Sequence, residues 1–123
     1  MKPYRILVTG SRDWTDRSTV YGALADVVRE LPADREVVIV HGACPTGADY
    51  MAHYWARGYG ASVDAHPANW QLEGKRAGFI RNARMVNLGA DLCLAFIKNG
   101  SRGASHTAAL AEQAGIPTRR ITH

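Results

Sequence analysis

The chain has 123 residues, 46% of them apolar, with 15 Lys and Arg against 11 Asp and Glu for a formal charge of +4. That length suits one domain with a single core, and no apolar run approaches the roughly 20 residues of a membrane span. No signal-peptide pattern opens the chain, so a cytoplasmic protein is expected, and two cysteines make no disulfide framework.

Residues 5–9 form a short apolar run ended by Gly10 and read as a first, central strand. The loop from Gly10 through Asp16 follows, with Asp16 or Ser18 placed to cap a helix. Val20, Leu24, Val27, Val28 and Leu31 then recur at helical spacing until Pro32. Residues 36–40 are a β-branched second strand. A small-residue loop from His41 to Asp49 leads into a helix whose face is Ala48, Met51, Ala52, Trp55 and Ala56, stopped by Gly58 and Gly60.

Residues 62–66 are a weaker third strand, and residues 67–75 a connector carrying Asn69, Trp70 and Gly74. A helix is expected over 75–88 with Phe79, Ala83 and Val86 on its apolar side, and Arg81 and Arg84 elsewhere. Residues 91–96 form a fourth strand that includes Cys93, expected to be a small core residue. A turn from Gly100 to Ser105 precedes a helix with Thr107, Leu110, Ala111 and Ala114 at helical spacing. Gly115 and Pro117 end it, and residues 118–121 supply a last strand. Strands alternating with helices predict a parallel α/β sheet of about five strands, a three-layer domain with helices on both faces over residues 1–123.

The polar clusters all follow strands, and in an open parallel sheet those ends share one edge. The turn at Gly100, Ser101, Gly103 and Ala104 leaves backbone N–H groups free at a helix N-terminus, a natural phosphate site. Gly10 permits close approach, Ser11 offers a hydroxyl, and Arg12 can pair with phosphate. Gly42 and Gly47 flank a tight loop, and Asp49 suits either a helix cap or a ribose hydroxyl. His41 is a candidate acid or base, more simply a hydrogen-bonded strand-end histidine. Trp70 beside Arg76, Arg81 and Asn82 suits a stacked base or a core lid. Cys44 sits near the site without a Cys-x-x-Cys partner. The histidines show no ligand spacing, so neither metal nor cofactor is called for.

Taken together, Val8 to Trp14, His41 to Asp49, Ala77 to Asn82 with Met85, Ala95-Phe96, and Gly100 to Thr107 followed by Ala114 to Pro117 resemble the SLOG superfamily, within it the YspA-like, YpsA-related branch. The resemblance implies a Rossmann-like fold, small size, frequent occurrence in bacteria and phages, and a nucleotide or nucleotide-derived ligand. It implies a pocket of Gly10, Ser11, Arg12, Gly42, Gly47, Asp49, Arg81, Asn82, Gly100, Ser101 and Gly103, and makes a homo-oligomer a reasonable expectation. Related LOG phosphoribohydrolases cleave a base from a nucleoside monophosphate using a signature similar to Pro-Gly-Gly-x-Gly-Thr-x-x-Glu. Here Thr107 stands at the glutamate position and Ala104 at the threonine. Cleaving an N-glycosidic bond develops positive charge that a carboxylate stabilises, and only Asp13 or Asp49 offers one. Ligand binding, with Arg12 and Arg81 as charge partners and Trp70 or Trp14 over the base, is therefore expected ahead of an N-glycosidase. A single-strand nucleic-acid binder similar to the DprA core is the third reading, consistent with the basic balance.

Overall fold

A computed structural model describes residues 1–123. Five parallel strands run in the order β3-β2-β1-β4-β5: β1 (Tyr4–Gly10), β2 (Val37–His41), β3 (Ser62–Ala65), β4 (Leu92–Ile97) and β5 (Thr118–Thr122). The connections carry α1 (Arg17–Arg29), α2 (Gly47–Tyr59), the short α3 (Trp70–Glu73), α4 (Ala77–Leu88) and α5 (Arg102–Gln113). This is an α/β, Rossmann-like fold.

Strand periodicity divides the core into two layers. Ile6 and Val8 of β1, Val37 and Ile39 of β2, and Leu92, Leu94 and Phe96 of β4 pack against α1 and α2 through Leu24, Val27, Met51 and Ala52. The intervening residues face the other way. Leu7, Val40 and Cys93 meet Met85 and Val86 of α4 and Ala111 of α5, while Ala95 and Ile97 meet Ala104 and Ala108. All six residues of β4 are buried, as expected for a strand covered on both faces. Cys93 sits at zero exposure, and burial pushes its thiol up to about 12.

Local chemistry explains the helix ends. Asp16 accepts from the Thr19 amide at 3.1 Å and its hydroxyl at 2.6 Å, making it the N-cap of α1. Gly58 lies inside α2, which ends at Gly60 in a left-handed conformation (φ 95°). The α4 segment differs from the sequence expectation. Residues 67–75 are not plain connector, because Asn69 caps α3 and a 3-10 turn (Gly74–Arg76) follows. The buried side of α4 is Ala77, Asn82, Met85 and Val86, and Phe79 is 45% exposed. Small Ala77 sits where α4 begins, and the Asn82 amide oxygen accepts from Arg81 Nε at 2.8 Å, so a polar residue can occupy the inner face.

From β1 the chain steps through β2 to β3 on one side, and the β3-to-β4 crossover then carries it to the other side of β1. Strand order reverses between β1 and β4, and the crevice outside their carboxyl ends is the usual ligand position in this architecture.

Candidate functional site

A cleft of about 620 Å3 opens at that crevice. Its first wall is built from backbone. Ser11 N–H donates to Phe96 O at 2.9 Å, and the Ser11 hydroxyl accepts from Lys98 N–H at 2.8 Å. Ser11 is thus consumed in joining β1 to the end of β4; it is 2% exposed and does not line the cleft. Gly10 does line it, and a second close approach explains the glycine: a Cβ there would stand 2.4 Å from Ala48 Cβ at the start of α2.

Gly47 has φ 75°, and a Cβ on it would lie 2.3 Å from the Ser11 carbonyl oxygen. It holds the β1 and β2 loops together and lies off the cleft surface. Thr46, the N-cap residue of α2, makes no side-chain bond to its own helix; its Oγ1 donates to Arg12 O at 3.0 Å.

The β2 loop is organised around two buried side chains. Asp49 Oδ2 accepts from Gly42 N–H at 3.0 Å and Cys44 N–H at 3.4 Å. It is therefore neither the α2 cap nor a free carboxylate; it ties the preceding loop down while still bordering the cleft. Burial raises its pKa to about 6, against the opposing pull of those two N–H groups and of Arg81. His41 Nδ1 accepts from Ala43 N–H at 2.9 Å, so Nε2 carries the proton and donates to His53 Nδ1 at 3.1 Å. Burial, then the neighbouring His53, His66 and Arg81, lowers its pKa to about 4. His41 does not line the cleft, and its ring is committed to the loop.

The opposite wall comes from α4. Arg81 Nη1 donates to Gly42 O and, at 3.4 Å, to His66 O, bridging the ends of β2 and β3. Glycine at 42 leaves room for this guanidinium: a Cβ would meet Arg81 Nη1 at 2.5 Å and push it aside. With Nε on Asn82 and Nη1 on the two carbonyls, Nη2 is the group Arg81 has left to offer. Both Arg81 and Asn82 border the cleft.

The floor on the β4 side is the start of α5. Asn99 and Gly100 take left-handed conformations (φ 53° and 63°) and turn the chain so that Ser101, Gly103 and Ala104 face the cleft. Gly100 makes the turn without lining it. The first N–H groups of α5 have no preceding helical carbonyl to bond, and the helix dipole adds positive character there. Thr107 is fully buried, and its hydroxyl donates to Gly103 O at 3.1 Å.

Of the residues singled out by sequence, Gly10, Arg12, Asp13, Gly42, Asp49, Trp70, Arg81, Asn82, Ser101, Gly103 and Ala104 converge on this cleft. Ser11, Gly47 and Gly100 support it from behind. Trp14 is 2% exposed, packed edge-on against Phe96 and His123 with Nε1 donating to Asp16 O at 2.9 Å. It is a core residue and cannot cover a ligand; Trp70, half exposed at the rim, can. Sequence reading gave no site role to Lys75, Phe79, Met85 or Pro67, which also line the cleft. Lys75 carried a usable signal, a cation in the connector next to Trp70. The apolar members did not.

An open parallel sheet with a glycine-loop cleft at its switch point defines a Rossmann-like domain. The profile described as YAcAr, the YspA, cpYpsA-related SLOG family, matches residues 4–72. The "Gene 61 protein" of Mycobacterium phage D29 is 45% identical over 118 residues, covering 92% of each chain. The chain belongs to this SLOG family. No solved structure gives a significant match.

Proposed function

We propose that the cleft binds a nucleotide or nucleotide-derived small molecule, in the manner of a sensor or carrier module. The observation that carries this reading is one of composition in space. Three cations (Arg12, Lys75 and Arg81) and the N-terminus of α5 border the same cavity as an indole face, Trp70. Phosphate suits the α5 start, where backbone N–H groups and the dipole act together. Arg12 and the Arg81 Nη2 supply charge-assisted hydrogen bonds. Trp70 supplies a stacking surface for a base. A volume of about 620 Å3 lies within the usual range for small-molecule sites. Family membership supports a nucleotide-related ligand at this coarse level.

Binding is favoured over N-glycosidic cleavage. The Thr107 position presents a buried hydroxyl turned onto its own helix, not a carboxylate. Asp49, the more enclosed carboxylate of the cleft, already accepts two backbone bonds.

The test incubates purified protein with nucleoside mono- and diphosphates, NAD and ADP-ribose, then separates bound from free by ultrafiltration and chromatography. An intact compound retained with the protein supports the proposal. Released base would transfer the cleft to hydrolysis, and retention of nothing in the panel would overturn the reading. Arg12→Ala should weaken the retained compound by about 1.5–3 kcal/mol, the range for a hydrogen bond to a charged group, or roughly ten- to 150-fold. Unchanged affinity removes Arg12 from the site.

A further inference from the structure

Residues 67–76 form the outer rim of the cleft, and none of them is buried. Leu72 is 81% exposed and Trp70 50%. Within the strap, Glu73 N–H donates to Asn69 O, Leu72 N–H to the Asn69 side chain and Gly74 N–H to Trp70 O; it joins α4 where Ala77 N–H donates to Gly74 O. Glu73 and Arg84 stand 4.0 Å apart, the limit of an ion pair. Gly74 takes φ 61° and ψ −140°, a glycine conformation with open space around it. A segment with so few buried contacts opens at small cost.

Besides the Glu73–Arg84 pair, Trp70 joins the strap to the body of the protein. Its ring edge lies over the first turn of α4, where a Cβ on Gly78 would stand 3.4 Å from Cη2. Across the mouth, the Arg12 guanidinium sits 6.0 Å from the ring centroid. Arg12 belongs to the rigid β1 loop, tied down through Thr46 and Gly47. The Arg12–Trp70 contact therefore joins the loose rim to the fixed wall. It also occupies the two groups the cleft would offer a nucleotide: a guanidinium for phosphate and an indole face for a base.

We infer that Trp70 and Arg12 satisfy each other across the mouth of the cleft and that a nucleotide displaces this contact at both ends, the base taking the Trp70 face and a phosphate taking Arg12, so that the strap closes over the ligand. A guanidinium binds phosphate more strongly than it binds an exposed ring, and stacking on a base replaces what Trp70 gives up. The ligand class is a nucleotide that carries both an unsaturated base and a phosphate group, since either part alone leaves one end of the exchange unfilled. This inference rests on the nucleotide reading of the cleft and adds to it the rim residue that selects for a base.

Hydrogen exchange of the amides in residues 67–76 tests it, using AMP, ADP and ADP-ribose as probes. In ligand-free protein, Arg12→Ala should speed exchange of the strap at least threefold while leaving β4 amides unchanged. In the unmodified protein, a bound nucleotide should slow strap exchange at least threefold. Trp70→Ala should lose tenfold or more in nucleotide affinity, and Trp70→Phe, which keeps a ring, should stay within threefold. Because the strap buries none of its residues, both variants should fold. Strap exchange that ignores Arg12→Ala overturns the inference, as does a nucleotide that binds without slowing the strap, or equal affinity in Trp70→Ala. In those cases the nucleotide reading itself stands. If no compound of the nucleotide panel binds the unmodified protein, that reading falls and the exchange falls with it; if a different nucleotide of the panel is retained, that compound replaces the three probes in the exchange measurement.

Discussion

Asp49 and His41 make opposite demands on the proton, and stability measured against pH can separate them. Folding raises the Asp49 pKa from 3.8 to about 6, so between those values the folded chain holds a proton that the unfolded chain has released. Asp49 therefore adds stability as pH falls through 6. Folding lowers the His41 pKa from 6.5 to about 4, so the unfolded chain takes up a proton there first, and stability is lost as pH falls through 6.5. At 1.36 kcal/mol per pKa unit, Asp49 contributes a gain of about 2 kcal/mol between pH 7 and 4.5. Discounted because it is less completely enclosed than Asp49, His41 contributes a loss of about 2 kcal/mol over the same window. The groups facing the pair are Arg81, Arg12, His53, His66 and Asp64. Asp16, Asp64 and Glu112 have lowered pKa values and lose their contributions only at more acid pH. The two effects nearly cancel in the native chain. Asp49→Asn keeps an acceptor for Gly42 and Cys44 but removes the titration, so its stability should fall by about 2 kcal/mol on acidification relative to the native protein. His41→Asn keeps an acceptor for Ala43, and its stability should rise by about as much. Urea midpoints at pH 7, 6, 5.2 and 4.5 would show the pair diverging by about 1–2 M each way, given m-values of about 1–2 kcal/mol/M. Two variants that track the native curve within about 0.5 kcal/mol would refute the reasoning.

Gly47→Ala should destabilise the fold by roughly 1–3 kcal/mol, because the residue has φ 75° and the new methyl meets the Ser11 carbonyl; urea unfolding measures it. Ser11→Ala should cost about 1–3 kcal/mol by stranding the buried Lys98 N–H, yet leave nucleotide affinity within twofold in the ultrafiltration assay. A large affinity loss would return Ser11 to the ligand contacts. Gly42→Ala should displace Arg81 from its two carbonyls and weaken the retained nucleotide by about 1.5–3 kcal/mol. Arg81→Ala should weaken it as much, and the double variant no further.

The strand-and-helix alternation was legible because burial leaves a periodic trace. β4 reads as an unbroken apolar run, and the α1 face as Val20, Leu24 and Val27. The strap was missed because a four-residue helix without a buried face leaves no such trace. Phe79 was misplaced because apolar character alone does not say which side of α4 packs, and Asn82 hides on the inner side through its bond with Arg81. At the site, the glycine motifs announced close approaches but not of what to what. Gly47 admits the Ser11 backbone and Gly42 admits Arg81. Trp14 and Trp70 look alike in a sequence, and only the packing of Phe96 and His123 separates a core residue from a rim residue.

The cleft has walls of unequal character. One is fixed by close packing of backbone and short side chains, with Gly10 on the Ala48 methyl, Gly47 on the Ser11 carbonyl, and the Ser11 hydroxyl on Lys98 N–H. An insertion in either glycine loop would pull on the sheet itself. The rim is the strap, whose side chains carry almost none of the core. The strap can therefore vary at little cost to folding, and a library confined to 67–76 should change the mouth of the cleft while the fixed wall keeps its shape.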